Sequence, residues 1–271
     1  MAQQESKGAP DSVGLRILSG AFLAALAVLL IWGGTPYFEL MVALFAFAMT
    51  WEWAILTGYS YESLPGFAVS AATLTAVLLA GLDELVWALV VVAVVGGLIL
   101  LIGGLMGFRK SGWAALGAVY LALPCIALIW LRHEADVGLF LVVWLMVVVW
   151  ATDVGAYAAG RTIGGPRLAP SISPNKTWAG LIGGLSCAAL FGAFIAWIEG
   201  DVPIGVLTAT AVVVGIFAQV GDLLESKVKR HFDVKDSGNL IPGHGGVLDR
   251  VDGLLIAAPV FAIFVAVGQR G

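Results

Sequence analysis

Three aspartates in the last fifth of the chain, Asp222, Asp249 and Asp252, stand where long apolar runs end or begin. Ionised carboxylates at membrane depth are costly and usually face a polar cavity or a partner. On a helix, Asp249 and Asp252 are spaced i and i+3, and Asp222 and Ser226 i and i+4, so each pair shares a face. Carboxylates carried by two helix ends can converge on one hard cation. Mg²⁺ needs few protein carboxylates when phosphates supply its other oxygens. Ion pairing with Arg250 or Lys227 at the membrane interface is the alternative use of the same acids.

The residues between these aspartates suit anions. Lys227, Lys229, Arg230 and Lys235 could clamp phosphate oxygens, or form a rim attracted to anionic lipid at roughly 1 kcal/mol per basic residue. Their interleaving with Asp233 and Asp236 favours the clamp. Pro242-Gly243-His244-Gly245-Gly246 places three glycines around a histidine, and glycine lets backbone N–H groups approach an anion closely. His244 reads either as a phosphate donor or as a structural hydrogen-bonder. No GxxxxGK[ST] run is present, so a P-loop is excluded. A second segment, Ser173-Pro174-Asn175-Lys176-Thr177, precedes an apolar run. Thr177 suits a helix N-cap. Lys176 beside a helix N-terminus favours an anion, though an ordinary cap with a nearby lysine fits equally. Asp153 and Tyr157, at i and i+4, could add a further polar face. His133 is expected to face solvent, and Cys125 and Cys187 to be small packing residues.

The elements that must position these groups are membrane spans. The chain is 60% hydrophobic and 12% charged, with a mean hydropathy of +0.98, against about 25% charged residues in soluble domains. Apolar runs of roughly 20 residues indicate transmembrane helices, and the 35 glycines suit close helix packing in lipid. The runs predict spans at about 15–32, 38–57, 64–80, 86–105, 113–131, 137–158, 178–198, 203–224 and 251–268. The third is the shortest and begins beside Pro65, which a first helical turn accommodates. Most tryptophans are expected at the membrane interfaces.

This is an all-α, polytopic helical bundle of about nine transmembrane helices. Residues 1–14 form a polar N-terminal tail and 15–271 a single membrane domain, with the chemistry in a half spanning about 150–271. With the N-terminus in the cytoplasm and the C-terminus outside, all of the 14 Lys and Arg residues except Arg132 and Arg270 fall on the cytoplasmic side. Lys7, Arg16, Arg109 and Lys110 are among them. The positive-inside rule supports that orientation.

The ordered series Ser226-Lys227-Val228-Lys229-Arg230, Lys235-Asp236, Pro242-Gly243-His244-Gly245-Gly246 and Asp249-Arg250-Val251-Asp252 closely resembles the signature of the phosphatidate cytidylyltransferase (CDP-diacylglycerol synthase) family. Asp153-Val154-Gly155-Ala156-Tyr157, Gly160-Arg161 and Ser173 to Gly180 look like the same family. Asn175 and Ala179 depart from it, since the family often carries lysine and glutamate there. The resemblance covers roughly the C-terminal half.

It implies transfer of the cytidylyl group of CTP to phosphatidic acid, giving CDP-diacylglycerol and pyrophosphate, with Mg²⁺ as cofactor. On that expectation Asp222 and Asp249 hold the ion, and Asp252 supports it or binds a second cation. Lys227, Lys229 and Arg230 engage phosphates, while Lys235 and Asp236 order the loop. His244 with Gly243, Gly245 and Gly246 shapes the phosphate pocket. Ser173, Lys176, Thr177, Ser226 and Arg250 add substrate contacts. The expected partners are CTP, phosphatidic acid, the lipid bilayer of the inner membrane and a second copy in a homodimer, with no nucleic acid. An ether-lipid cytidylyltransferase or isoprenoid kinase is the nearest alternative. An ion-coupled transporter is a more distant one, because the acids lie at span ends on one side.

Overall fold

The computed structural model describes residues 13–241 and 245–269. The tail over 1–12, the Arg16 side chain, Pro242, Gly243, His244 and Arg270 lie outside the described residues. Among the described residues there are nine helices: α1 (Val13–Gly33), α2 (Tyr37–Thr57), α3 (Leu64–Gly81), α4 (Leu85–Leu105), α5 (Ser111–His133), α6 (Gly138–Thr162), α7 (Trp178–Glu199), α8 (Ile204–His231) and α9 (Leu248–Gly268). Eight of them, α2 to α9, are long and apolar enough to cross a membrane. The chain is an integral membrane protein. Only helices satisfy every backbone group within a single segment, which is why these runs fold as they do in lipid.

Two packed groups make up the bundle. Helices α2 to α5 lie against one another, as do α6 to α9, and α9 packs on both α5 and α2 to join the groups. Contacts between α6 and α7 are the most extensive, and glycine makes them so. A Cβ on Gly183 would stand 2.3 Å from that of Ala159, and one on Gly155 2.6 Å from the Cys187 sulfur. Small residues bring the two backbones together and let dispersion hold them. Cys187 thus belongs to this seam, and Cys125 is buried in the core.

Local signals set several helix ends. Ser63 accepts a hydrogen bond from Gly66 N with Pro65 in the first turn of α3, so the shortest predicted span is a capped helix. Pro124 and Pro259 lie inside α5 and α9. Trp32, Trp87 and Trp197 are exposed on the bundle surface, as a belt requires. Trp53 and Trp144 instead lie in the core. Trp53 donates its indole N–H to the Trp113 carbonyl at 2.9 Å, and Trp144 stacks on Phe261 at 4.9 Å.

Three departures from the predicted elements matter for function. First, α6 and α8 run past the expected membrane edge, to Thr162 and His231. Second, the segment between α6 and α7 holds an antiparallel hairpin, β1 (Arg167–Ala169) and β2 (Ser173–Thr177), with Arg167 opposite Thr177 and Ala169 opposite Ser173. Third, His133 does not face solvent. It closes α5 and bridges Glu39 at 2.5 Å and Asp83 at 2.7 Å, so its side chain is mostly covered.

Candidate active site

The hairpin lays Lys176 against α8. Its ammonium lies 2.6 Å from Asp222 Oδ2 and donates to Gln219 Oε1 at 3.1 Å. The Gln219 amide donates in turn to Asp153 on α6 at 3.3 Å. Ser226, one turn beyond Asp222, donates to its other oxygen at 3.3 Å. Thr177 caps α7, its hydroxyl accepting from Gly180 N at 3.0 Å, as its type and position predict. These groups line an open cleft of about 640 Å³ between α6, the hairpin, α7 and α8. Arg161 stands at its rim, donating to the Tyr157 hydroxyl at 2.5 Å with its guanidinium over the Tyr157 ring. Leu168 and Leu181 supply apolar lining.

Asp252 sits behind Asp222, because a Cβ-less Gly221 lets α8 approach the α9 backbone at Asp252. Its charged neighbours are Asp222, Asp153 and Glu225. Glu225 is fully buried, and its oxygens lack a hydrogen-bond partner among the described residues. Its nearest counter-charge is Lys229, at 3.3 Å. Lys229 lies closer to Asp249, at 2.6 Å.

Asp249 and Asp252 therefore face different tasks despite sharing a helix turn. Asp249 holds the loop before α9, accepting from Ser237 N and Gly246 N, each at 3.0 Å. Gly245 next to it has φ of +86°, which side chains rarely adopt.

Of the remaining expected residues, Lys227, Lys235, Asp236 and Arg250 are exposed and make no side-chain hydrogen bond or ion pair among the described residues. Asp249 orders the described part of the loop, together with a residue absent from the expected set. That residue is Glu52 on α2, which accepts from Val247 N and Leu248 N, each at 2.8 Å, and from the Ser237 hydroxyl at 3.2 Å. Arg230 is bound to carbonyls, those of Ile172 and Val234, and ties the hairpin turn to the end of α8. Ser173 stands at the far end of β2, opposite Ala169. Glu225, Gln219 and Arg161 were also missing from the expected site. Gln219 and Glu225 left a trace as polar residues near the end of an apolar run.

Acids outnumber bases here. Asp153, Asp222, Glu225, Asp249 and Asp252 are gathered around Lys176 and Lys229. Charge left uncompensated at this depth is unfavourable. The donors are all hard oxygens, and Glu225 Oε2 is buried without a partner among the described residues, so the donor chemistry suits a divalent cation such as Mg²⁺. As they stand, no three acidic, His or Cys side chains among the described residues are placed to hold an ion together.

A cleft rimmed by Lys176 and Arg161, with an acid cluster beside it, in a polytopic bundle fits a membrane enzyme handling phosphates. The chain belongs to the cytidylyltransferase family, whose model matches residues 14–267. It is similar to proteins named phosphatidate cytidylyltransferase. The Brucella suis biovar 1 (strain 1330) protein is 38% identical over 252 residues, 93% of each chain. The Bacillus subtilis (strain 168) protein is 32% identical over 261 residues, covering 93% of this chain and 97% of the relative. That of Pseudomonas aeruginosa PAO1 is 35% identical over 236 residues, 83% and 86% of the two chains.

Proposed function

We propose that the chain transfers the cytidylyl group of CTP to phosphatidic acid, releasing pyrophosphate and forming CDP-diacylglycerol for phospholipid synthesis. The observation that carries this reading is the Lys176–Asp222 pair at the mouth of a cleft backed by Asp153, Asp252 and Glu225. An oxygen of the lipid phosphate attacks the α-phosphorus of CTP. The bond from that phosphorus to the bridging oxygen breaks, and its electron pair leaves with pyrophosphate. The attacking oxygen is already anionic near neutral pH, so no strong base is required. The obstacle is the meeting of two polyanions, and catalysis rests on positioning and on cations.

The chain's own residues divide that task. Lys176 and Arg161 face the apolar-lined cleft between α6 and α7 and hold the lipid phosphate there. Lys229, with exposed Lys227 and the loop before α9, receives the triphosphate. Bonds to phosphate oxygens are charge-assisted like the present ones to carboxylates, so an incoming phosphate can take them over. Asp222, Asp252 and, once Lys229 is drawn to a phosphate, Asp249 would hold Mg²⁺. When bound, the ion supplies neutralisation of phosphate charge and of the departing pyrophosphate. The basic residues concentrated near this end of the bundle support a cytoplasmic face and an inner-membrane location.

The test is purified protein in mixed micelles with CTP, phosphatidate and Mg²⁺, following pyrophosphate release. Turnover should require all three and fail after chelation. Turnover that persists with ATP and an isoprenoid alcohol, and not with CTP and phosphatidate, would overturn the reading. Asp249→Asn and Asp222→Asn should each lower the rate well beyond threefold, since losing a charged ligand costs more than ~1 kcal/mol in the barrier.

A further inference from the structure

Glu52 is the most deeply buried acid outside the cleft, at 1% exposure, and among the described residues no cation pairs with it. Its charge is met instead by backbone. One oxygen accepts from Val247 N and the other from Leu248 N, where α9 begins, and the second oxygen also meets the Ser237 hydroxyl. A helix N-terminus has free N–H groups and a partial positive charge, so a carboxylate there serves as a cap. This cap comes from a helix almost two hundred residues earlier in the chain.

Two glycines make room for it. A Cβ on Gly238 would stand 2.7 Å from Glu52 Oε1, and one on Gly246 would stand 2.8 Å from Oε2 and 2.1 Å from the Ser237 hydroxyl. The loop is wrapped on the carboxylate itself. Ser237 is also held on its other side, its N–H donating to Asp249. Glu52 and Asp249 therefore grip the same loop from opposite directions.

We propose that Glu52 is a positioning residue for the nucleotide side of the site. It sets Ser237 and the segment Gly246 to Leu248, and through them Asp249 and Lys229, without touching substrate. This rests on the cytidylyltransferase reading above. Glutamine is nearly isosteric but offers an N–H₂ where a carboxylate oxygen now accepts. Glu52→Gln sets donor against donor at the start of α9.

In full-length protein, Glu52→Gln should raise the KM for CTP at least tenfold and leave the KM for phosphatidate within twofold. Ser237→Ala, which removes one bond, should move the CTP KM in the same direction by less. It carries the test if Glu52→Gln does not accumulate. Amide exchange in the nucleotide-free protein should quicken at Val247 and Leu248 in Glu52→Gln and stay unchanged in α7. A CTP KM within twofold of the parent, or equal rises in both KM values, would overturn the proposal. A parent that turns over no CTP would defeat the functional reading. The exchange measurement would still report whether Glu52 holds the loop, and unchanged exchange would sink the proposal alone.

Discussion

Lys176 on the hairpin and Asp222 on α8 meet at 2.6 Å, and their contact joins the cleft between α6 and α7 to the acid cluster behind it. Neither is buried like a core ion pair, with side chains 18% and 28% exposed. A pair this accessible can exchange partners, and a phosphate offers the ammonium the same charge-assisted bonding as a carboxylate already sharing Ser226. Lys176→Met should reduce kcat/KM for the cytidylyl transfer at least tenfold, about 1.4 kcal/mol of transition-state stabilisation. Lys176→Arg should recover only part of it, because a planar fork does not replace a compact ammonium. Steady-state assays with both substrates varied will check this.

Arg161 is held over the cleft by Tyr157, which contributes both its hydroxyl and its ring. If it reads the lipid phosphate, Arg161→Ala should raise the KM for phosphatidate several-fold and spare that for CTP. Tyr157→Phe, which keeps the ring and loses the hydroxyl, should do the same more weakly. Dilution of phosphatidate in mixed micelles measures both.

Two glycines, Gly183 in the seam between α6 and α7 and Gly205 at the start of α8, make opposite predictions. Gly183→Val forces atoms onto Ala159 and should destabilise by about 1–3 kcal/mol through overpacking. Gly205→Ala, where a Cβ meets nothing, should stabilise α8 by about 0.5–1 kcal/mol. Thermal unfolding in detergent should move in opposite directions for the two.

At the other end of the bundle, His133 ties Glu39 and Asp83 together, and Thr35 donates to Glu39 at 2.7 Å. His133→Ala leaves a mostly covered Glu39 without its main partner, at a cost of about 1–3 kcal/mol. Its melting temperature should fall while both KM values and kcat remain those of the parent, since nothing in this cluster touches the cleft.

How far the sequence disclosed this arrangement depends on whether the controlling interaction is local. Span positions were legible because hydropathy is a property of consecutive residues, and the nine predicted runs coincide with α1 to α9 apart from their ends. Thr177 was legible as a cap because its partner, Gly180, is three residues away. The extension of α8 past Ser226 to His231 was not, because a helix that turns polar loses its hydropathic signal while keeping its hydrogen bonds. The hairpin was not legible either, since its two strands are too short for a clear alternation. His133 was misjudged because its partners come from the first turn of α2 and from the link between α3 and α4. The signal that could have found Glu52 is an acid between Trp51 and Trp53, well past Glu39 at the start of its apolar run, a position that marks function by default. Its purpose was hidden because its acceptor role is fulfilled 195 residues away, at Val247.

The 28 residues of α8 have a further meaning. At 1.5 Å per residue such a helix is about 42 Å long, against roughly 30 Å of hydrocarbon. Its last turns, beyond Asp222, carry Lys227, Lys229 and Arg230. Were that surplus to stand in the headgroup layer, as the proposed reaction asks, a nucleotide from water and a lipid phosphate at its natural height would meet between Asp222 and those bases, and neither would have to leave its own phase.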